Sequence, residues 1–250
     1  MIPKIIHYCW LSDDPIPDNL KKCILTWHRY MPEYKFIKWD FTILPMGTSI
    51  WVDQAFEKKK YAFAADYIRL YALYHYGGIY LDSDVEVMKS FNPFLGLDDM
   101  VCYENSSRKG LEVAAIGVSK NRTWVKQCLN HYDGKKFDLG NGILDTQVMP
   151  EVVKNILKEE NWKLQNVDNI DDANKVDSSD TIAVFPNEFF SPKSYETGEI
   201  NITENTYSVH HFAASWHGSK EKIYKVLGKI IGKNNAKKIA NLIKRILIRH

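Results

Sequence analysis

Short apolar runs and helically spaced apolar residues take turns along the first third of the chain, which predicts strands and helices in alternation. The run IPKIIHYCW, followed by the turn-rich DDPIPD, predicts the opening strand of a buried sheet. Leu20, Cys23, Ile24 and Trp27 share a helical face, so a helix is expected over residues 19–30 with Asp18 as its N-cap. YKFIKWD, residues 34–40, alternates like a second strand. One long helical stretch rich in Ala, Tyr and Leu is expected over 51–76, ended by Gly77 and Gly78. In the strand predicted next, GGIYLDSDVEV, Ile79, Leu81, Val85 and Val87 fall on one face and Tyr80, Asp82 and Asp84 on the other.

Further along, the pattern predicts strands around 100–103 and 112–118, a helix over 123–131, a loop over 134–142 and a helix over 146–159. An acidic, exposed loop is expected over 167–180, then a return to strand and turn from Thr181. This order predicts an α/β fold, a sheet with helices on both faces. Ligands of such sheets sit at the carboxyl ends of strands, where Asp82 and Asp84 fall. Two carboxylates that close repel each other unless a cation stands between them.

Composition changes this picture little, but charge changes it more. Four widely spaced cysteines, with no CxxC pair, argue against a zinc knuckle or disulfide scaffold and fit a reducing compartment. The N-terminus lacks the pattern of a signal peptide, and no window is apolar enough to span a membrane, so a cytoplasmic protein is expected. From Lys220 to the end there are ten bases and one acid, a net +9, whereas the other 219 residues carry 23 bases and 30 acids, a net −7. The basic segment forms two amphipathic halves, with Ile223, Val226, Leu227, Ile230 and Ile231 in one stripe and Ile239, Leu242, Ile243, Ile246 and Leu247 in the other. It reads either as helices packed on the domain or as an interfacial anchor on an anionic membrane, the second being favoured by the charge excess. Without interleaved aromatics, and beside an acidic body, it does not read as a nucleic-acid-binding segment.

In the helix before the aspartates, Asp66 and Arg69 lie three apart on one face of a segment apolar nearly all round. A buried carboxylate and guanidinium need partners. The whole string, Ala62 and Ala65, Asp66, Arg69, Leu73, Gly77, Gly78, Tyr80, Asp82 and Asp84, resembles the DXD-containing sugar-binding region of family-32 glycosyltransferases. It is also similar to the catalytic domains of the clostridial glucosylating toxins. IPKIIHYCW near the start and HHFAASW near the end extend the resemblance.

That resemblance implies a GT-A-type, Rossmann-like mixed sheet forming a catalytic domain over 1–218, with 219–250 as a basic amphipathic tail. It implies a retaining transferase moving a hexose from a nucleotide sugar to a glycan or lipid-linked acceptor, as in capsular or surface polysaccharide synthesis at the inner face of a membrane. Mn2+ or Mg2+ would bridge the DXD and the donor diphosphate, with Asp84 ligating directly and Asp82 ligating or facing the sugar. Asp66 and Arg69 would hold the transferred sugar, Trp10 or Tyr8 would stack the base, with a lean to uracil, and Tyr80 would line the pocket. A late histidine or aspartate often completes the metal or diphosphate site in the family: His211 is expected, with His210 second, and Ser215 and Trp216 would close over the diphosphate. Asn141 and Asp145 read as a turn and a helix cap, and Glu104 and Asn105 as possible cleft residues. Two rivals stay open on the residues: a metal-dependent phosphoester hydrolase, and a binding module without activity.

Overall fold

The computed structural model describes residues 1–213, so the 219–250 tail, its two amphipathic stripes and the 1–218 boundary lie outside the described residues. The chain runs β1 (Ile5–Cys9), α1 (Asp18–Tyr30), β2 (Lys35–Trp39), α2 (Ile50–Glu57), α3 (Tyr61–Tyr76), β3 (Gly78–Leu81) and β4 (Val85–Val87). It continues through β5 (Asp99–Met100), β6 (Ala115–Val118), α4 (Thr123–Asn130), β7 (Asp138–Gly140), β8 (Ile143–Leu144) and α5 (Met149–Glu159). β9 (Lys163–Asn166), α6 (Ile170–Ala173), β10 (Thr181–Val184) and β11 (Ser208–His210) complete it.

Five strands form the central sheet in the order β2-β1-β3-β6-β5, with β1 parallel to β2 and β3, and β6 antiparallel to β3 and β5. Both faces are covered, because the strands are apolar on both sides. On one face Tyr80 and Ile116 pack with Ile68, Leu70 and Ala72 of α3, Trp124 of α4 and Val152 of α5. On the other, Ile6, Ile79 and Leu81 pack with Trp27 of α1, with Met31 just past its end, and with Phe94, Phe185 and Phe190. The expected mixed α/β sheet with helices on both faces is what the chain builds.

Several boundaries differ from expectation for local reasons. The stretch 51–76 is two helices, because Lys59 takes a left-handed backbone (φ 57°) and its amide and that of Lys60 close back on Phe56 and Ala55. Pro17, not Asp18, occupies the cap of α1, and Asp18 sits in the first turn. α5 starts at Met149 rather than 146, with Pro150 in its first turn. The loop expected over 134–142 contains β7, joined to β8 by Asn141 and Gly142 at φ 52° and 77°, the backbone that an Asn-Gly hairpin turn requires. The acidic loop over 167–180 contains α6, where the Asn169 side chain accepts the Asp172 amide at 2.9 Å.

The Gly77-Gly78 pair does more than end α3. Gly77 has φ 64° and Gly78 φ 100°; a Cβ on Gly77 would stand 2.7 Å from the Lys120 amide nitrogen, and one on Gly78 2.7 Å from the Ile5 carbonyl oxygen. The two glycines therefore let β3 lie against β1 and set where β3 begins.

Candidate functional site

The chain leaves β1 to form β2 on one side, then crosses back to place β3 on the other, so the carboxyl ends of β1 and β3 flank a topological switch point. The pairing His7↔Tyr80 puts Tyr8, Cys9 and Trp10 at the same end of the sheet as Asp82. The two aspartates do not lie within a strand, as the alternation predicts, but on the turn joining β3 to β4, closed by the Val85 amide donating to the Asp82 carbonyl at 2.9 Å. Ile79, Leu81, Val85 and Val87 nonetheless stay together in one core, and Tyr80 faces the other. The Asp82 amide donates to the Ala114 carbonyl at 2.8 Å, which ties the turn to the start of β6.

β11 pairs antiparallel with β4 (His210↔Val85), and the His211 amide donates to the Asp84 carbonyl at 3.0 Å. This ladder delivers one imidazole to the aspartates: ligand atoms of Asp82, Asp84 and His210 all lie within 4.8 Å of one another. The histidine that faces them is His210, not His211. On this strand adjacent side chains point oppositely, and His211 turns outward, its Nε2 2.8 Å from Glu86 Oε2. His210 presents Nε2 3.5 Å from Asp84 Oδ1 and Nδ1 3.3 Å from Glu112 Oε2. Burial opposes a charge on His210, but Glu112 and Asp84 outweigh it and push the imidazole up to about 10. Burial likewise opposes the Glu112 charge, yet His210 and the Ala114 amide hold that carboxyl at about 2. The field here is that of crowded carboxylates seeking positive charge.

Arg69 is 4% exposed and its fork is already engaged. Nη2 donates to Asp82 Oδ1 at 2.8 Å and lies 3.8 Å from Asp66 Oδ1, while Nη1 donates to the Val113 carbonyl at 2.9 Å. Its guanidinium carbon stands 4.4 Å from the centre of the Tyr80 ring, a cation–π contact. Arg69 thus fixes Asp82 in place, and Tyr80, 1% exposed, backs Arg69 instead of lining an open pocket. Burial pushes the Asp66 carboxyl up to about 7 against the pull of Arg69.

Tyr8 and Trp10 are partly exposed; Tyr8 packs edge-on against Trp27 (5.5 Å), and the Trp10 indole N–H donates to the Asp14 carbonyl at 2.8 Å. Ser215 and Trp216 lie outside the described residues. Asn141 is in the hairpin turn, as its turn reading has it, but Asp145 does not cap a helix: α5 is entered through Val148 with no side-chain cap, and Asp145 instead accepts the Gln147 amide at 3.1 Å and pairs with Lys135 at 3.1 Å. Glu112 is a member of the cluster that sequence reasoning missed. Its one signal is a lone acid at the head of the apolar run LEVAAIGV, and only the antiparallel pairing Leu81↔Ala115 shows that this head meets the Asp82 turn. Glu104, half-buried with its carboxyl raised by burial and by Glu112, lies beside the same group.

Residues 17–101 match the family model described as the glycosyltransferase sugar-binding region containing a DXD motif. The match includes Asp66, Arg69, Asp82 and Asp84 and stops before Glu112 and His210. The chain is 33% identical over 144 residues to the mannosyl phosphorylinositol ceramide synthase SUR1 of Saccharomyces cerevisiae, covering 53% of this chain and 36% of that protein. It is 28% identical over 137 residues to inositol phosphoceramide mannosyltransferase 3 of Schizosaccharomyces pombe, covering 52% of this chain and 37% of that protein. The chain therefore spans about a third of the length of these curated relatives. Among solved structures it is similar to the PaToxG glycosyltransferase, with TM-score 0.49 and 22% identity over 64% of this chain and 70% of that one.

Proposed function

We propose that this chain is a metal-dependent glycosyltransferase of the family-32 type, moving a hexose from a nucleotide sugar to a hydroxyl of a glycan or lipid-linked acceptor with retention of configuration. The observation that carries the reading is the Asp82–Asp84–His210 group at the carboxyl end of β3, inside and beside the segment that matches the DXD family model. Two carboxylates and an imidazole fit a divalent cation, and the mixed oxygen and nitrogen set favours Mn2+ over Mg2+. When bound, such an ion neutralises charge on a diphosphate leaving group.

The chain's own residues supply the rest. Asp84, on the turn before β4, and His210, at the end of β11, would hold the ion. Asp82, held by Arg69 through one carboxylate oxygen, would ligate the ion or face the donor, and Asp66 flanks Arg69. Arg69 fixes these carboxylates, through Asp82 at 2.8 Å and Asp66 at 3.8 Å. Tyr8 and Trp10 offer partly open rings for the base at the adjacent strand end.

The names of the curated relatives speak of mannosyl transfer to inositol phosphoceramide, so a nucleotide-mannose heads the donor candidates, ahead of the UDP-sugars that Trp10 suggests, and a lipid-linked acceptor ahead of a capsular one. Residues 219–250 would rest on an anionic membrane from the cytoplasmic side and bring that acceptor near. Among the described residues, no helix is long and apolar enough to cross a membrane.

The test is calorimetric titration of UDP- and GDP-sugars with and without Mn2+, repeated on Asp84→Ala. Metal-dependent binding of one donor, lost in the variant, is expected. No donor bound under either condition would sink the proposal, and phosphate release from a phosphoester without any acceptor would point to a hydrolase.

A further inference from the structure

Glu112 is a carboxylate that the proposed chemistry does not require, yet it is 3% exposed, and burying a charge is costly unless it is paired and hydrogen-bonded. One oxygen, Oε1, accepts the Ala114 amide at 2.8 Å, which anchors the carboxylate to the backbone just ahead of β6. The other, Oε2, lies 3.3 Å from Nδ1 of His210, a residue 98 positions away. The opposite nitrogen of that ring, Nε2, points into the group formed with Asp82 and Asp84. The imidazole is therefore held from behind by an anchored, water-excluded carboxylate while its front nitrogen faces the candidate ligands. The other side of the ring meets Phe212, 4.0 Å between ring centres, which further restricts its swing.

A neutral imidazole has two tautomers, and only the one protonated at Nδ1 leaves a lone pair on Nε2. A carboxylate behind Nδ1 selects that tautomer, fixes the ring plane and raises the basicity of the ligating nitrogen. We propose that Glu112 is a positioning residue for the metal site: it accepts the Nδ1–H of His210 and thereby aims Nε2 at the space shared with Asp82 and Asp84. The inference rests on the reading of that group as a divalent-cation site, and it adds a residue that lies beyond the segment matched by the family model.

The experiment uses the full chain and Mn2+ alone, with affinity read by calorimetry and by electron paramagnetic resonance of the free ion. Glu112→Ala should weaken Mn2+ binding about 10- to 100-fold, the usual effect of losing a carboxylate behind a ligating histidine. Glu112→Gln, which keeps an oxygen acceptor but not its charge, should lose less, roughly three- to tenfold. In a His210→Ala background, Glu112→Ala should cost nothing further, because its effect passes through the ring. Circular dichroism melts in chelator establish that each variant is folded, and if Glu112→Ala is not, Glu112→Gln decides. Wild-type affinity in a folded Glu112 variant, or an equal loss with His210 already removed, would overturn the assignment. A wild-type chain that binds no Mn2+ would instead remove the metal reading itself, which is a separate result.

Discussion

The two adjacent histidines give the sharpest division of labour at the level of single residues. His210 is 13% exposed between Asp84 and Glu112, whereas His211 is 30% exposed and pairs with Glu86, itself 44% exposed. An exposed pair of this kind contributes at most about 1 kcal/mol. His211→Ala is therefore expected to leave Mn2+ affinity within about twofold of wild type, because its backbone amide, which donates to Asp84, is untouched. His210→Ala removes one of three candidate ligands and is expected to weaken Mn2+ binding by two orders of magnitude or more. Parallel calorimetric titrations distinguish the pair, and loss in His211→Ala with retention in His210→Ala would reverse the assignment. Alternation tells a reader that only one of the two faces inward. Which one is set by the register of β11 on β4, a pairing between segments over a hundred residues apart that no local pattern encodes. The Asp66, Arg69, Asp82 and Asp84 set was legible because a single helix, a glycine pair, one short strand and the turn after it carry all four. Glu112 was not, because it joins them only across the β3–β6 pairing.

At the scale of elements, β1 and β2 are held to α3 by a polar contact inside an otherwise apolar layer. His7 is fully buried; Trp39 Nε1 of β2 donates to its Nδ1 at 3.0 Å, and its Nε2 lies 2.8 Å from the Gly77 carbonyl after α3. Since Nδ1 accepts, Nε2 must carry the proton and donate to Gly77, and the ring is neutral. Burial, against the help of the Gly77 carbonyl, lowers its pKa to about 4. The unfolded chain titrates this group near 6.5 and so binds more protons than the folded one between those values. Stability is therefore fully present above about pH 6.5 and is lost as the pH falls toward 4. The loss from this residue should be on the order of 2 kcal/mol between pH 7.5 and pH 5. Urea unfolding at those two pH values should show a steep fall in wild type and a visibly shallower one in His7→Gln; identical falls would clear His7 of the effect. The strands that meet here were readable from their apolar runs. The break between α2 and α3 was not, because a left-handed Lys59 is a backbone choice that apolar spacing does not report.

At the scale of the whole described chain, the site is a junction between distant parts of the sequence. Asp82 and Asp84 follow β3, Glu112 precedes β6, and His210 ends β11, so the ligand set exists only when the central sheet and the β4–β11 ladder are both in place. The order of strands and helices could be read in advance. The antiparallel return of β6 and the late arrival of β11 could not, since both depend on which strand edges find each other, and those two pairings complete the site. A ligand that needs all of these parts binds the native state and not the unfolded one, and so stabilises by RT ln(1 + [L]/Kd), about 2.7 kcal/mol at a hundredfold excess over Kd. For a domain of this size that corresponds to a rise in Tm of roughly 5–10 °C. Mn2+ with its sugar-nucleotide donor should raise the melting transition of the wild-type chain by that amount, with a dependence on concentration that follows the measured Kd. Asp84→Ala should melt at the same temperature with and without them. A wild-type transition indifferent to Mn2+ and every donor, at concentrations up to millimolar, would mean that these carboxylates and His210 are a structural pairing that bridges β4 and β6, and that the transferase reading fails with it.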